Sequence, residues 1–138
     1  MPVVKPFSTI AEMFDVITRH FIDSDKPAYL YIVVGVYKPL SYKELREMVE
    51  LTACGLAALG LNKGDKFGII SENRIEWIIV DFAMTTTGFI TTPSKSESMS
   101  EFNLLTISPS KFELKNSNST LGNSLIKIPL ISSSVKVP

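Results

Sequence analysis

The sequence predicts an α/β fold: a partial amino-terminal subdomain with a β-hairpin and a β-α-β unit, followed by an irregular tail. Three observations carry this. Two Ser/Thr-x-x-Glu starts, at Thr9 and Ser41, each open an apolar stripe at helical spacing. A run of β-branched and aromatic residues is interrupted at Gly35. Finally, two short apolar runs, Phe67 to Ile70 and Phe89 to Thr92, bracket a helical segment.

The elements follow in order. Thr9 and Glu12 form a capping box, after which Ile10, Met13, Phe14, Ile17 and Phe21 recur along one helical face. Ala28 to Val34 and Val36 to Leu40 read as the arms of a hairpin, with Pro39 holding the second arm to an edge. Ser41 and Glu44 repeat the capping box, and Tyr42, Leu45, Val49, Leu56 and Leu59 lay a stripe that Gly60 closes in the left-handed conformation. Lys63-Gly64-Asp65 is a turn, and Phe67 to Ile70 lacks polar alternation, as a parallel strand covered on both faces does. Ile75 to Thr86 forms the next helix, Gly88 stops it, and Phe89 to Thr92 is the following strand.

Composition divides the chain at Pro93. Serine supplies 4 of the first 93 residues and 12 of the last 45, and Ala, Arg, Asp, Tyr, Trp, Cys and His are absent after Pro93. Residues 1–93 are therefore expected to be the folded partial subdomain and residues 94–138 a Ser-rich, disordered tail, since its polar runs bury too little to offset ordering entropy. Fourteen basic and fourteen acidic side chains cancel, so no whole-chain field collects nucleic acid or anionic lipid. The single cysteine, Cys54, excludes an internal disulfide framework or a cysteine zinc cluster and fits a reducing compartment. The apolar stretch from Tyr29 to Val36 is far below the roughly 20 residues of a transmembrane helix, and the start does not read as a secretory signal, so the mature chain is expected to begin at Met1. The expected compartment is the cytoplasm.

Ser41-Tyr42-Lys43-Glu44-Leu45, the helix ending Gly55-Leu56-Ala57-Ala58-Leu59-Gly60, Lys63-Gly64-Asp65-Lys66, and Ser71-Glu72-Asn73-Arg74 with Glu76-Trp77 together resemble the amino-terminal segment of AMP-forming acyl-CoA synthetases. The Ser-Glu-Asn-Arg and Glu-Trp pairing most resembles the long-chain fatty-acid-CoA ligase branch, and the resemblance runs from about Phe7 to Pro93. It implies a reaction in which a fatty acid and ATP give an acyl-adenylate and pyrophosphate, and CoA then takes the acyl group with release of AMP. It also implies ATP, Mg2+ and CoA as the intact family's cofactors and co-substrates, with a location in the cytoplasm or at a membrane surface.

The family's Ser/Thr/Gly-rich loop ending in Pro-Lys, which cradles the ATP phosphates, has no counterpart in this sequence. The acidic residue on the ribose, the aromatic against adenine and the lysine on the reacting carboxylate all belong downstream of the matched segment. No catalytic, cofactor-binding or metal-ligating residue can therefore be assigned to this chain. After Pro93 the family pattern stops; a shifted reading frame, a splice variant and a degraded gene would each produce such a break.

His20 suits the negative end of the first helix. Cys54, within an Ala- and Leu-rich helix, reads as a small buried packing residue. Asn73, Arg74 and Glu76 follow a buried parallel strand, where α/β proteins bind ligands, yet the connection directly after Ile70 lacks the glycines that let backbone approach a phosphate, and helix-start capping is the favoured role. Gly64-Asp65 reads as a turn. The leading expectation is a truncated relative of a long-chain fatty-acid-CoA ligase, inactive alone and self-associating through an uncovered sheet face. The alternatives are a small interaction module that pairs with an intact synthetase and a free-standing acyl- or nucleotide-binding domain.

Overall fold

A computed structural model describes residues 6–58, 60–71, 74–93, 103–108 and 111–115. Helix α1 spans Ile10–His20. Its cap Thr9 accepts from the Glu12 amide at 3.1 Å, while the Glu12 carboxylate reaches back to the Ser8 amide at 2.8 Å, one residue before the position a capping box specifies. Phe14 and Thr18 are the buried residues of this helix. Ile10, expected in the stripe, is 57% exposed, since the first turn extends past the core.

Strands β1 (Tyr29–Val33) and β2 (Val36–Leu40) form an antiparallel two-stranded sheet joined by Val34-Gly35. Both turn residues have positive φ, 49° and 76°, as the two-residue hairpin turn that matches strand twist requires. Pro39, opposite Leu30, lies on an edge strand as expected. Helix α2 (Tyr42–Ala58) begins with a complete capping box: Ser41 N donates to Glu44 Oε2 at 2.9 Å and Glu44 N to Ser41 Oγ at 3.2 Å. Leu45, Val49, Thr52 and Leu56 face inward. Gly60 ends the helix with φ of 77°.

Strand β3 (Lys66–Ser71) leads into helix α3 (Ile75–Thr87) and back to strand β4 (Ile90–Pro93), parallel to β3. Helix α3 stops at Gly88, φ 82°, where Gly88 N donates to Thr85 O and Phe89 N to Met84 O, the paired bonds of a left-handed helix stop. The same corner is tied to the entry of β3, since Gly64 N donates to Gly88 O and Ile90 N to Asp65 O, both at 3.0 Å.

Two segments depart from the expected irregular tail. Residues Asn103–Ser108 form strand β5, parallel to β3 on the side opposite β4, and Lys111–Lys115 form β6, antiparallel to β5. The sheet order is β4-β3-β5-β6. The physical reason is the open edge of β3: a buried strand with an unpaired side leaves its backbone groups unsatisfied, and the Leu104-Leu105-Thr106-Ile107 run supplies a partner. Leu105, opposite Ile69, is wholly buried. The rest of residues 94–138 lies outside the described residues.

The core sits on one face of this sheet. Phe67, Ile69 and Leu105 meet Ile79, Val80, Ala83 and Met84 of α3, and α2 and α1 close over the far side of α3 with Leu45, Val49, Leu56 and Phe14. The Phe14 and Phe82 rings lie 4.7 Å apart across the α1–α3 contact. Helix α3 is apolar nearly all round because it is packed on both sides. Ile70, on the opposite face of β3, is only half-buried, so the expected cover on both faces is incomplete.

Candidate functional site

In α/β sheets the crevice beyond the carboxyl ends of parallel strands is the usual ligand position, and here it lies after Ser71 of β3. Arg74 occupies the residue before α3 in extended conformation, φ −130°, but makes no side-chain cap, contrary to the capping role expected of it. Its guanidinium instead forks onto Glu76, Nη2 to Oε1 at 3.0 Å and Nε to Oε2 at 3.2 Å. The pair is largely shielded, with side-chain exposures of 29% and 17%, and Glu76 also suits the positive end of the helix. Asn73 falls outside the described residues.

Between this first turn of α3 and β1 runs a cavity of about 490 Å3, lined by every residue from Tyr29 to Val34 together with Tyr37, Arg74, Ile75, Glu76 and Ile78. Consecutive residues of a strand contribute side chains to alternate faces, so an unbroken run of lining residues means that the free edge of β1 borders the cavity. Burial pushes the Tyr29 phenol above its usual range, with the Tyr42 phenol nearby adding to the shift.

A second cavity, about 430 Å3, lies between Thr9, Lys63 and Thr85 to Gly88. There the threonine hydroxyls already donate to carbonyls of their own helix at 2.7 to 3.0 Å.

His20 is exposed in the last turn of α1 and meets Phe21 edge-on at 4.7 Å, in line with a helix-end role. Cys54 is exposed, which overturns the buried packing role: the inward stripe of α2 passes through Thr52 and Leu56, leaving Cys54 on the outer side. Gly64-Asp65 is a turn, with Asp65 Oδ2 accepting from Asn62 N at 2.8 Å. Sequence reading missed the strand-edge cavity, although the absence of charge in Tyr29 to Val33, beside Lys38 and Pro39 on the opposite arm, was a visible signal.

The sequence model of the AMP-binding enzyme family matches residues 22–101, more than half of the chain and past the composition change at Pro93. The chain belongs to the AMP-binding enzyme family. Among curated relatives, it is similar to long-chain-fatty-acid–CoA ligase FadD15 of Mycobacterium tuberculosis, 34% identical over 79 residues covering 57% of this chain and 13% of that protein. It is 29% identical over 83 residues to mitochondrial medium-chain acyl-CoA ligase ACSF2 of Mus musculus, covering 60% and 13%. Among solved structures, the Klebsiella oxytoca NpsA N-terminal subdomain in complex with 3-hydroxybenzoyl-AMSN superposes with a TM-score of 0.58 at 26% identity, over 68% of this chain and 22% of that one. This chain thus spans about an eighth of the length of these curated relatives.

For an AMP-binding enzyme the fit of nucleotide to the described residues is poor. The β3–α3 connection reads Ser71-Glu72-Asn73-Arg74, without the glycines that let backbone amides approach a phosphate. The Arg74 fork is engaged by Glu76. Among the described residues no group of three or more His, Cys, Asp or Glu side chains gathers to hold a metal ion.

Proposed function

We propose that this chain is the amino-terminal scaffold of an AMP-forming acyl-CoA ligase of the long-chain fatty-acid branch, and that the 138-residue polypeptide alone does not catalyse the reaction. In that reaction the fatty-acid carboxylate attacks the α-phosphorus of ATP and expels pyrophosphate; the CoA thiol then attacks the acyl carbon and AMP leaves. ATP, Mg2+, CoA and a fatty acid are the reactants and cofactors of the whole enzyme, and the cytoplasm is its proposed setting.

The observation that carries the family part is the match over residues 22–101. The long-chain branch is supported by the relative FadD15, and a fatty-acid substrate more broadly by 47% identity over 49 residues to fatty acyl-CoA synthetase A of Dictyostelium discoideum. Inactivity of the chain alone rests on chemistry: sequence 1–138 contains no Ser/Thr/Gly-rich loop ending in Pro-Lys to neutralise departing pyrophosphate. What the chain supplies is positioning. The β3-α3-β4 unit and its α1–α2 cover form a rigid platform beyond which the catalytic residues of a longer chain would be arranged.

Two measurements test this. The 138-residue polypeptide should show no ATP–pyrophosphate exchange and no acyl-CoA formation across short, medium and long fatty acids; exchange above a buffer control overturns the inactive reading. A chimera of the Mycobacterium tuberculosis ligase carrying residues 22–93 of this chain in place of its own matching segment should keep long-chain activity. A folded chimera devoid of adenylation would count against the scaffold role.

A further inference from the structure

Strand β3 has two backbone edges, and they are filled from different parts of the sequence. Ile90 N donates to Asp65 O, so along β3 the backbone groups of Phe67 and Ile69 turn toward β4, and those of Gly68 and Ile70 turn toward β5. The β4 side is filled by chain inside the family match over residues 22–101, whereas β5, Asn103–Ser108, lies beyond it. The edge that faces β5 therefore belongs to the family scaffold, and the strand that fills it does not.

The occupant is specified by backbone pairing and, among the described side chains, by Leu105. The register is parallel, with Gly68 opposite Leu104, Ile69 opposite Leu105 and Ile70 opposite Thr106. Residues 109–110 separate Ser108 from its partner Lys111, and across so short a loop the closing pair is hydrogen-bonded. Pairs then alternate, so Thr106 and Leu104 bond to β6 and the backbone groups of Leu105 and Ile107 are left for β3. Leu105 has no exposed surface and joins Phe67 and Ile69 in the core. Strand β5 has no charge, proline or glycine, and β6 reads Lys-Phe-Glu-Leu-Lys, with a charge at every second residue. Such an outer strand discourages further pairing, so the hairpin joins the sheet on one side and ends it on the other.

We propose that the β3 edge along residues 68–70 is a strand-acceptor site, and that β5 is its exchangeable donor. A free peptide with the chemistry of β5, extended, uncharged and carrying a large aliphatic side chain opposite Ile69, takes the same place parallel to β3. Backbone pairing supplies the affinity, and the position of Leu105 supplies the selectivity. Covalent attachment gives β5 an effective concentration of about millimolar, so the site accepts a peptide only when its own donor is weakened. Neither adenylation nor acyl transfer enters this site, which stands or falls apart from the ligase reading.

Amide hydrogen exchange on the parent 138-residue chain, combined with peptide binding to a weakened full-length chain, tests the proposal. In the parent, the Gly68, Ile70, Leu105 and Ile107 amides should exchange at least about tenfold faster than those of Ile79 and Val80 in α3, because the donor leaves before the core opens. Leu105→Asp places a carboxylate at the buried position and should release the donor. A labelled peptide of residues 101–117 should then bind the Leu105→Asp chain at roughly micromolar concentration and slow exchange at Gly68 and Ile70 at least about tenfold. The same peptide carrying Leu105→Asp should not bind, and the parent chain should bind the unaltered peptide at least about tenfold more weakly than the variant does. Ile107→Pro, which removes a backbone donor to β3, gives the same readout where Leu105→Asp does not fold. Exchange at Leu105 and Ile107 as slow as in α3, or no binding of the unaltered peptide to either weakened chain, would overturn the assignment. So would binding of the peptide that carries Leu105→Asp.

Discussion

Arg46 of α2 donates to the carboxylate of Asp15 on α1 at 2.8 Å and, through Nη1, to the buried Thr18 hydroxyl at 3.0 Å. Thr18 in turn donates to Phe14 O at 2.7 Å, so the hydroxyl is satisfied on both sides within an otherwise apolar α1–α2 contact. Arg46→Ala removes the clamp and leaves Thr18 without its donor. The expected cost is about 1–2 kcal/mol, discounted because Asp15 and Glu50, the other carboxylate on Arg46, are themselves well exposed. Urea unfolding measures it, and a shift in midpoint within error of zero would make the clamp ornamental.

The same cluster gives an acid response. Arg19 first, then Arg46, hold the Asp15 carboxyl below its ordinary range by hydrogen bonding to the charged form. A depressed folded pKa contributes stability above the unfolded value, about 3.9, and that contribution is lost as pH falls through the lower folded value. Side-chain exposure of 45% makes it small. Thermal midpoints should therefore fall less steeply below about pH 4 in Asp15→Asn than in the parent chain, with parallel curves between pH 6 and 8. Identical acid limbs would show that the Asp15 pairs dissolve in solution.

The hairpin turn stores strain at one residue. Val34 holds φ at 49°, a region that β-branched side chains avoid, and it makes up for this with no burial. Val34→Asn places the preferred Asn-Gly pair at the turn and should stabilise by about 1 kcal/mol. Equilibrium unfolding checks the sign; a destabilised Val34→Asn protein would mean the turn differs in solution.

Strand β5 makes the largest demand on the chain after Pro93. Leu105 is fully buried opposite Ile69, so Leu105→Ala should cost about 2–5 kcal/mol, a large share of a small domain's stability. If the midpoint does not move, β5 does not dock against β3, and residues after Pro93 behave as the composition alone suggests.

Much of the fold was legible locally. Thr9, Ser41, Gly60 and Gly88 mark helix ends because capping and left-handed closure depend on residues within one turn, and Val34-Gly35 is flanked by arms whose pairing is set by loop length. The wrong readings share a cause. Whether Cys54 faces in or out depends on which side of α2 meets α3, a rotation that Ala- and Leu-rich composition does not set. Arg74 caps nothing because a guanidinium has no acceptor for the free N–H groups of the first turn, and its donors go to Glu76, two residues on. The candidate crevice was legible only as a position after β3, since the cavity beside it needs the hairpin, some forty residues earlier, to be brought alongside.

By itself, then, the sequence determined the succession of helices and strands, their caps, and membership in a family whose motifs are local and ordered along the chain. Tertiary structure alone decided that Asn103–Ser108 pairs with β3, that Arg46 joins α1 to α2, and that the cavity beside α3 is lined by the uncharged strand β1. Strand pairing and edge exposure are properties of what lies alongside in space. A segment as polar on average as the one after Pro93 becomes a strand where a buried neighbour has unpaired backbone to satisfy.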